Sequence, residues 1–231
     1  MKQVFDRYVE TSFDGSAQAT FKFTQFERNY RRYFPEDRSS RVLDIGIGRG
    51  EMLTCMKNWG YQEKVVDISP STVAHCLKLG LDCELTDDTV AWLSARAGQF
   101  HLVTCLDVLE HVPSSQVVGF LAAVRDSLTV NGIVIVQVPN LQSPFGYLHH
   151  FNDLTHVTGF VEHSLSQALL AAGFGVFDFH GFEESCGNGY RPMVRKLLRS
   201  AYWRGIRALR RLNSNPDPRI LNPVMYALVR R

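Results

Sequence analysis

The stretch VLDIGIGRGEML, Val42 to Leu53, decides the fold. A short apolar run of Val42, Leu43 and Ile45 gives way to glycines at 46, 48 and 50, and a helical pattern follows. This order predicts a buried strand, a tight turn and a helix N-terminus. Glycine takes positive φ without steric cost and lets a ligand approach the backbone. The first turn of the helix then presents N–H groups with a partial positive charge. The dinucleotide fingerprint GxGxxG rests on the same physics. Two details differ here: the glycines run GxGxG, and Asp44 stands two residues ahead of the first. A carboxylate at the end of that strand repels a pyrophosphate and suits a ligand carrying an ammonium group. The plainer alternative is that Asp44 caps the turn and the glycines serve packing.

These residues resemble the first motif of the class I S-adenosylmethionine (SAM)-dependent methyltransferases, and the resemblance covers most of residues 20–185. SAM has an ammonium and a sulfonium and no phosphate, which matches the charge of Asp44. Ile47 stands where many members carry Cys, a change of side chain that leaves the backbone alone. The resemblance implies a Rossmann-like α/β domain over residues 41–231. Its sheet would be seven-stranded and mostly parallel, with helices on both faces and an antiparallel last strand. Asp44, Gly46, Gly48 and Gly50 would hold SAM.

The rest of the chain supplies further candidates. Glu63 to Ile68 reads as a second strand with Asp67 near its end, about 20 residues beyond the glycine turn. An acid there hydrogen-bonds a ribose diol in nucleotide-binding sheets; capping the helix that begins near Pro70 is a compatible role. After a third strand at Leu81 to Leu85, Asp87 is the candidate for the adenine amino group by resemblance. Asp88 is the neighbouring choice, and capping of a helix over Thr89 to Ala95 is the structural alternative. Phe100 to Leu106 continues as LDVLEHVP, similar to the family's fourth-strand motif. There Leu106 and Asp107 would flank the methionine part of SAM. Glu110 and His111 begin the next helix in this reading, with His111 either shaping the pocket floor or moving a proton. Val117 to Leu128 reads as a helix ended by Asn131-Gly132, and Ile133 to Val138 as a strand buried on both faces.

Tyr147 to Phe160, YLHHFNDLTHVTGF, concentrates His, Asp and Asn just after the fifth strand, where α/β sheets bind ligands. Methyl transfer to a hydroxyl needs the oxygen in line and relieved of its proton, and His is the common base near neutral pH. His150 and His156 are the candidates for base or acceptor contact, and Asp153 for the orienting group. A metal cluster and a purely structural loop are the competing readings; the spacing matches no strong ligand motif, so no metal is assigned. The string HFNDLTH followed by GF resembles methyltransferases associated with bacterial surface-polysaccharide biosynthesis such as O-antigen. That resemblance implies a sugar or glycan acceptor, which a lipid could carry.

Length and composition fit one α/β domain with additions. Cys55, Cys76, Cys83, Cys105 and Cys186 form no CxxC pair, so reduced thiols in a cytoplasmic compartment are expected. Met1 to Glu10 lacks the apolar run of a signal peptide. Residues 18–34 read as an amphipathic aromatic helix stopped by Pro35. It either packs on the core edge or, with Tyr8 and Phe13, forms a lid over residues 1–40, as the family often does.

The charge is uneven. From Arg191 onward eleven Lys/Arg face one Asp, a net +10, whereas the preceding residues carry a net −8. Residues 192–212 alternate apolar and basic positions at helical spacing, with Tyr202 and Trp203 among them. Such a helix suits an anionic membrane surface at the inner face of the membrane. A helix packed on the domain with a solvated basic face, or one that binds RNA, are the alternatives. The sequence thus points to SAM-dependent O-methylation of a sugar or glycan. A small-molecule O-methyltransferase acting on a quinone precursor, an RNA methyltransferase and a non-catalytic SAM-binding scaffold are the alternatives.

Overall fold

The computed structural model describes residues 18–184, 190–215 and 217–231. Tyr8, Phe13 and Cys186 lie outside the described residues. The chain runs α1 (Gln18–Asn29), β1 (Arg41–Ile45), α2 (Glu51–Asn58), β2 (Gln62–Asp67), α3 (Pro70–Lys78), β3 (Cys83–Leu85), α4 (Thr89–Ser94) and β4 (Phe100–Leu106). It continues with α5 (Ser114–Ser127), β5 (Leu128–Pro139), α6 (Gly146–Phe151), α7 (Glu162–Ala171), β6 (Val176–Gly181), α8 (Tyr190–Leu212) and β7 (Val224–Arg230).

The strands form one seven-stranded sheet in the order β3-β2-β1-β4-β5-β7-β6. β1 to β5 are parallel to one another, and β7 runs antiparallel between β5 and β6. The seven-stranded, mostly parallel α/β sheet expected from the sequence is therefore present. The order reverses between β1 and β4, and the carboxyl ends of a parallel sheet open a crevice at such a switch point.

Alternation along the strands feeds two cores. Leu43, Ile45, Val103, Cys105, Val134 and Val136 face one layer, where Phe120, Leu121, Leu165 and Leu169 cover them. Val42, Leu102, Ile135 and Tyr226 face the other, against Phe26, Tyr30, Met52 and Met56. Successive strand residues point to opposite faces, so a strand buried on both faces must be apolar throughout. Cys55, Cys76, Cys83 and Cys105 are buried free thiols. Among the described residues no helix is long and apolar enough to cross a membrane.

Three boundaries depart from the sequence reading. The helix expected over 18–34 stops at Asn29 and becomes a single 3-10 turn, Arg31–Tyr33. Tertiary anchoring explains the break: Tyr30 packs edge-on against Tyr226, and Tyr33 lies beside His180 and Tyr226. Asn131-Gly132 does not close a helix. The strand already begins at Leu128, and Asn131 takes φ +67° where the β4–β5 register shifts between Phe100 and Leu102. Glu110 and His111 lie in a separate 3-10 turn, Leu109–His111, because Pro113 interrupts the chain before α5.

Asn29 ties the end of α1 to the segment after β6. Its Nδ2 donates to the carbonyls of Gln25 (2.8 Å) and Glu183 (3.0 Å), and its Oδ1 accepts from Glu183 N (2.9 Å). Asn29→Ala should therefore lower unfolding stability by about 1–3 kcal/mol, the cost of leaving buried polar groups without partners. Urea denaturation reads this as a lower midpoint at an unchanged slope; an unchanged midpoint would show that the tie contributes nothing.

Candidate active site

The turn after β1 is built as its glycines require. Gly46, Gly48 and Gly50 all take positive φ (+82°, +54° and +79°). A Cβ on Gly46 would stand 2.4 Å from Val108 Cγ2, whereas one on Gly48 would meet nothing within 4 Å. Gly46 is thus required by packing, and Gly48 leaves backbone open to the crevice. Gly50 is the N-cap of α2 and packs toward Cys76 and Leu81; it does not line the cleft.

The cleft at the carboxyl ends of the strands has a volume of about 560 Å³. Among the described residues, eight carboxylates and no Lys or Arg line it. Such a lining repels phosphate and attracts a cation. Asp44 is 2 % exposed and accepts from Thr104 Oγ1 at 2.5 Å. Burial pushes its carboxyl well above the usual range; the Thr104 hydrogen bond opposes this, and Asp67 and Glu51 add repulsion. A cation beside it would favour the ionised form.

Asp67 closes β2 and accepts from Ile47 N (2.6 Å) and Ser69 N (2.7 Å). A carboxylate has about four lone-pair sites, so acceptor capacity remains for a diol. Burial raises its pKa, against the backbone hydrogen bonds from Ser69, Ile47 and Ile68. Asp87 and Asp88 both line the cleft. Asp88 caps α4 by accepting from Ala91 N at 2.9 Å, which leaves Asp87 as the better-placed partner for a ligand.

Leu106 and Asp107 line the cleft at the end of β4. Asp107 takes φ +54°, a conformation few residues other than glycine adopt. Its N donates to Gln137 O (3.1 Å), and its Oδ2 accepts from Gln137 Nε2 (2.9 Å). Gln137 Oε1 in turn accepts from the buried Tyr30 hydroxyl. This chain of contacts ties the segment after α1 to the cleft, and Phe26 of α1 lines it directly.

The other end is formed by the turn after β4 and the segment after β5. Glu110, His111, His149, Asp153 and His156 all line it. His111 and His156 stand edge to face, with ring centroids 4.6 Å apart. Thr155 Oγ1 donates to Asp153 Oδ1 (2.6 Å) and lies 2.8 Å from His111 Nδ1. Burial, and then His156, push the pKa of His111 down to about 4, so it is neutral near pH 7. The Glu110 carbonyl accepts from Val157 N (2.9 Å) and Thr158 N (3.0 Å), which pins the loop over the turn.

His150 does not line the cleft. It is buried, its ring packs on Phe151 and His156, and its carbonyl lies 2.7 Å from His156 Nδ1. α6 explains the exchange with His149: adjacent residues of a helix point about 100° apart, and the sequence reading had placed no helix here. Glu110 and His149 were also absent from the candidates. The only sequence signal for Glu110 was its place beside His111 in the fourth-strand motif.

Comparison with known proteins agrees with this fold. A family model described as "Methyltransferase domain" matches residues 19–178. The ubiquinone biosynthesis O-methyltransferase of Xanthomonas axonopodis pv. citri is 37% identical over 83 residues, 34% of this chain and 35% of that protein. The enzyme of the same name from Escherichia coli O7:K1 is 39% identical over 81 residues, 33% of this chain and 34% of that one. The chain thus spans about a third of the length of the curated relatives it matches. Among solved structures, a SAM-dependent methyltransferase from Archaeoglobus fulgidus shares the fold with a TM-score of 0.68 at 20% identity, covering 93% of this chain and 97% of that one. The 1,6-didemethyltoxoflavin-N1-methyltransferase of Burkholderia thailandensis, solved with S-adenosylhomocysteine, gives 0.59 at 15% identity over 100% of this chain and 85% of that one. The family match runs from the second residue of α1 into β6, and the chain belongs to the methyltransferase-domain family.

Proposed function

We propose that the protein is a SAM-dependent methyltransferase acting on a hydroxyl of an acceptor that is presented at an anionic membrane surface. The cleft, lined by carboxylates and, among the described residues, by no Lys or Arg, carries this reading, because it suits a cationic nucleoside and repels a dinucleotide. SAM supplies a methyl group on a sulfonium, which departs as a neutral thioether. Asp44 would face its ammonium, Asp67 the ribose diol and Asp87 the adenine amino group. Leu106 and Asp107 would flank the methionine portion. Gly48 leaves room for the ligand beside the turn. Of the lid expected over residues 1–40, the described part, residues 18–40, would close the cleft with Phe26 against the ligand.

At the other end His111 and His156 would meet the acceptor hydroxyl. Asp153 orients His111 through Thr155, and the carbonyl of His150 orients His156. A well-placed base adds about 10² to 10⁴-fold. Holding the two reactants together contributes about 7–11 kcal/mol, so the shape of the cleft matters at least as much as the base. The polar lining of this end favours a sugar hydroxyl, in line with the resemblance of HFNDLTH to surface-polysaccharide enzymes. The names of the curated relatives favour a second reading, an aromatic hydroxyl of a quinone precursor. An RNA acceptor fits the acidic cleft poorly.

The membrane surface enters through α8. No described residue of this 23-residue helix is buried. Leu197 and Leu198 are 63 % and 67 % exposed, with Arg195, Lys196 and Arg199 beside them. An unpacked apolar face rimmed by cations is what an interfacial helix presents to anionic lipid.

Two experiments test these readings. Calorimetry should show SAM binding that Asp67→Ala weakens tenfold or more, about 1.4 kcal/mol, with no comparable binding of NAD; tighter binding of NAD would overturn the assignment. Co-sedimentation should recover the protein with phosphatidylglycerol vesicles and much less with phosphatidylcholine. Replacing Arg195, Lys196, Arg199 and Arg204 by Gln should remove that difference, at about 1 kcal/mol per charge. Equal binding by the two proteins would exclude α8 as the docking element.

A further inference from the structure

We infer that Glu110, His111 and His156 form a binding site for a divalent transition-metal cation at the end of the cleft away from Asp44. One carboxylate oxygen and one nitrogen of each imidazole lie within 4.8 Å of one another. They come from two segments, the 3-10 turn after β4 and the loop after α6, which the Glu110 carbonyl holds together.

The side chain of Glu110 supplies the second observation. It is fully buried, and among the described residues neither carboxylate oxygen has a hydrogen-bond partner. A buried polar group without a partner is costly, and buried charges are normally paired or bound to metal. Among the described residues no Lys or Arg lines the cleft to serve that purpose. An imidazole, His156, has its Nε2 3.9 Å from Glu110 Oε1.

The histidines are held as ligands are. His156 Nδ1 lies 2.7 Å from the His150 carbonyl, which can only accept, so Nδ1 carries a hydrogen and the neutral ring has its lone pair on Nε2, the nitrogen 3.9 Å from Glu110 Oε1. Thr155 Oγ1 gives its hydrogen to Asp153 and so accepts from His111 Nδ1. Ring N–H groups donated to a carbonyl or to a hydrogen-bonded oxygen are the usual outer support of metal-binding imidazoles. Bonds of about 2.0–2.2 Å place ligand atoms about 3–3.5 Å apart, so closing the Glu110–His156 pair takes a shift of less than about an ångström. Two imidazoles and a carboxylate suit Mn²⁺, Fe²⁺, Co²⁺ or Zn²⁺ better than Mg²⁺ or Ca²⁺. Three protein ligands leave positions open toward the cleft for oxygen donors. Use of those positions to hold and polarise the acceptor hydroxyl rests on the proposed methyl transfer; binding of the ion does not.

The test is titration of chelator-treated, dialysed protein with Mn²⁺, Zn²⁺ and Mg²⁺ by calorimetry, and with Co²⁺ by visible absorption. One equivalent of Mn²⁺ or Zn²⁺ should bind, Mg²⁺ should bind at least tenfold more weakly, and Co²⁺ should show bands of a nitrogen-ligated ion. Glu110→Gln, which keeps the shape of the side chain, and His156→Asn should each weaken binding at least tenfold. His149→Ala, in the cleft but outside the set, should not. Circular dichroism identifies any variant that fails to fold, in which case the wild-type stoichiometry and the Co²⁺ spectrum decide. Absence of binding to the wild type, or equal binding by the folded variants, would overturn the site. SAM binding measured on the same metal-free protein separates the two ideas: SAM bound without metal binding removes the metal site alone, and no SAM bound removes the functional reading.

Discussion

Asp44 ends β1 with its carboxylate out of water, held by Thr104 from the adjoining strand and facing the acids of the next two loops. Taken alone this arrangement opposes folding, since burial and like charges both disfavour the ionised group. It persists because the strand end is fixed from both sides: β1 lies between β2 and β4, and each continues past it into a loop lining the same cleft. The carboxylate is therefore held in place before any ligand arrives, and a cationic ligand would relieve it. Among the described residues no Lys or Arg lines the cleft to do so.

The remaining site follows from sheet order. The loops after β1, β2 and β3 reach one end of the cleft, and those after β4 and β5 reach the other. Two contacts join the ends. Tyr30, Gln137 and Asp107 link the segment after α1 to the strand ends at the centre. The Glu110 carbonyl links the turn after β4 to Val157 and Thr158. Asp107 sits between these links in a left-handed backbone conformation. Strain of this kind survives only where surrounding contacts fix it, and here those contacts run through Gln137.

Local chemistry was legible in the sequence and tertiary choice was not. The strand, glycine turn and helix of residues 42–53 could be read because each needs only its own residues. Asp67, Asp87 and Asp107 could be placed because a strand's end in a parallel sheet is a definite location. The helix end at Asn29 could not: it depends on Tyr30 and Tyr33 packing against Tyr226 across the sheet. β5 was read short because Asn131-Gly132 looks like a turn in isolation and becomes a bulge only against β4. The exchange of His149 for His150 reflects the six-residue helix α6, too short to declare itself by periodicity. Glu110 and His156 lie in separate motifs, LDVLEHVP and HFNDLTH, and only the fold brings them together.

α8 stands apart from this logic, because no described residue of it is buried. A 23-residue amphipathic helix would ordinarily be stabilised by packing. It meets the body at particular points. Tyr202 stacks on Phe145 at 6.0 Å, Arg210 donates to the Gln142 carbonyl, and Arg207 and Arg211 pair with Asp217. Phe145 immediately precedes α6, the helix that puts His149 into the cleft, and α6 and its flanks also expose Tyr147, Leu148, Phe151 and Leu154. The helix is therefore braced against the rim of the end where an acceptor would enter. A surface that held α8 would hold that rim as well, and would set the direction from which an acceptor reaches His111 and His156. The charge division along the chain then has a physical reading: the acidic body would be repelled by an anionic surface, and the basic helix would limit contact with it to one edge.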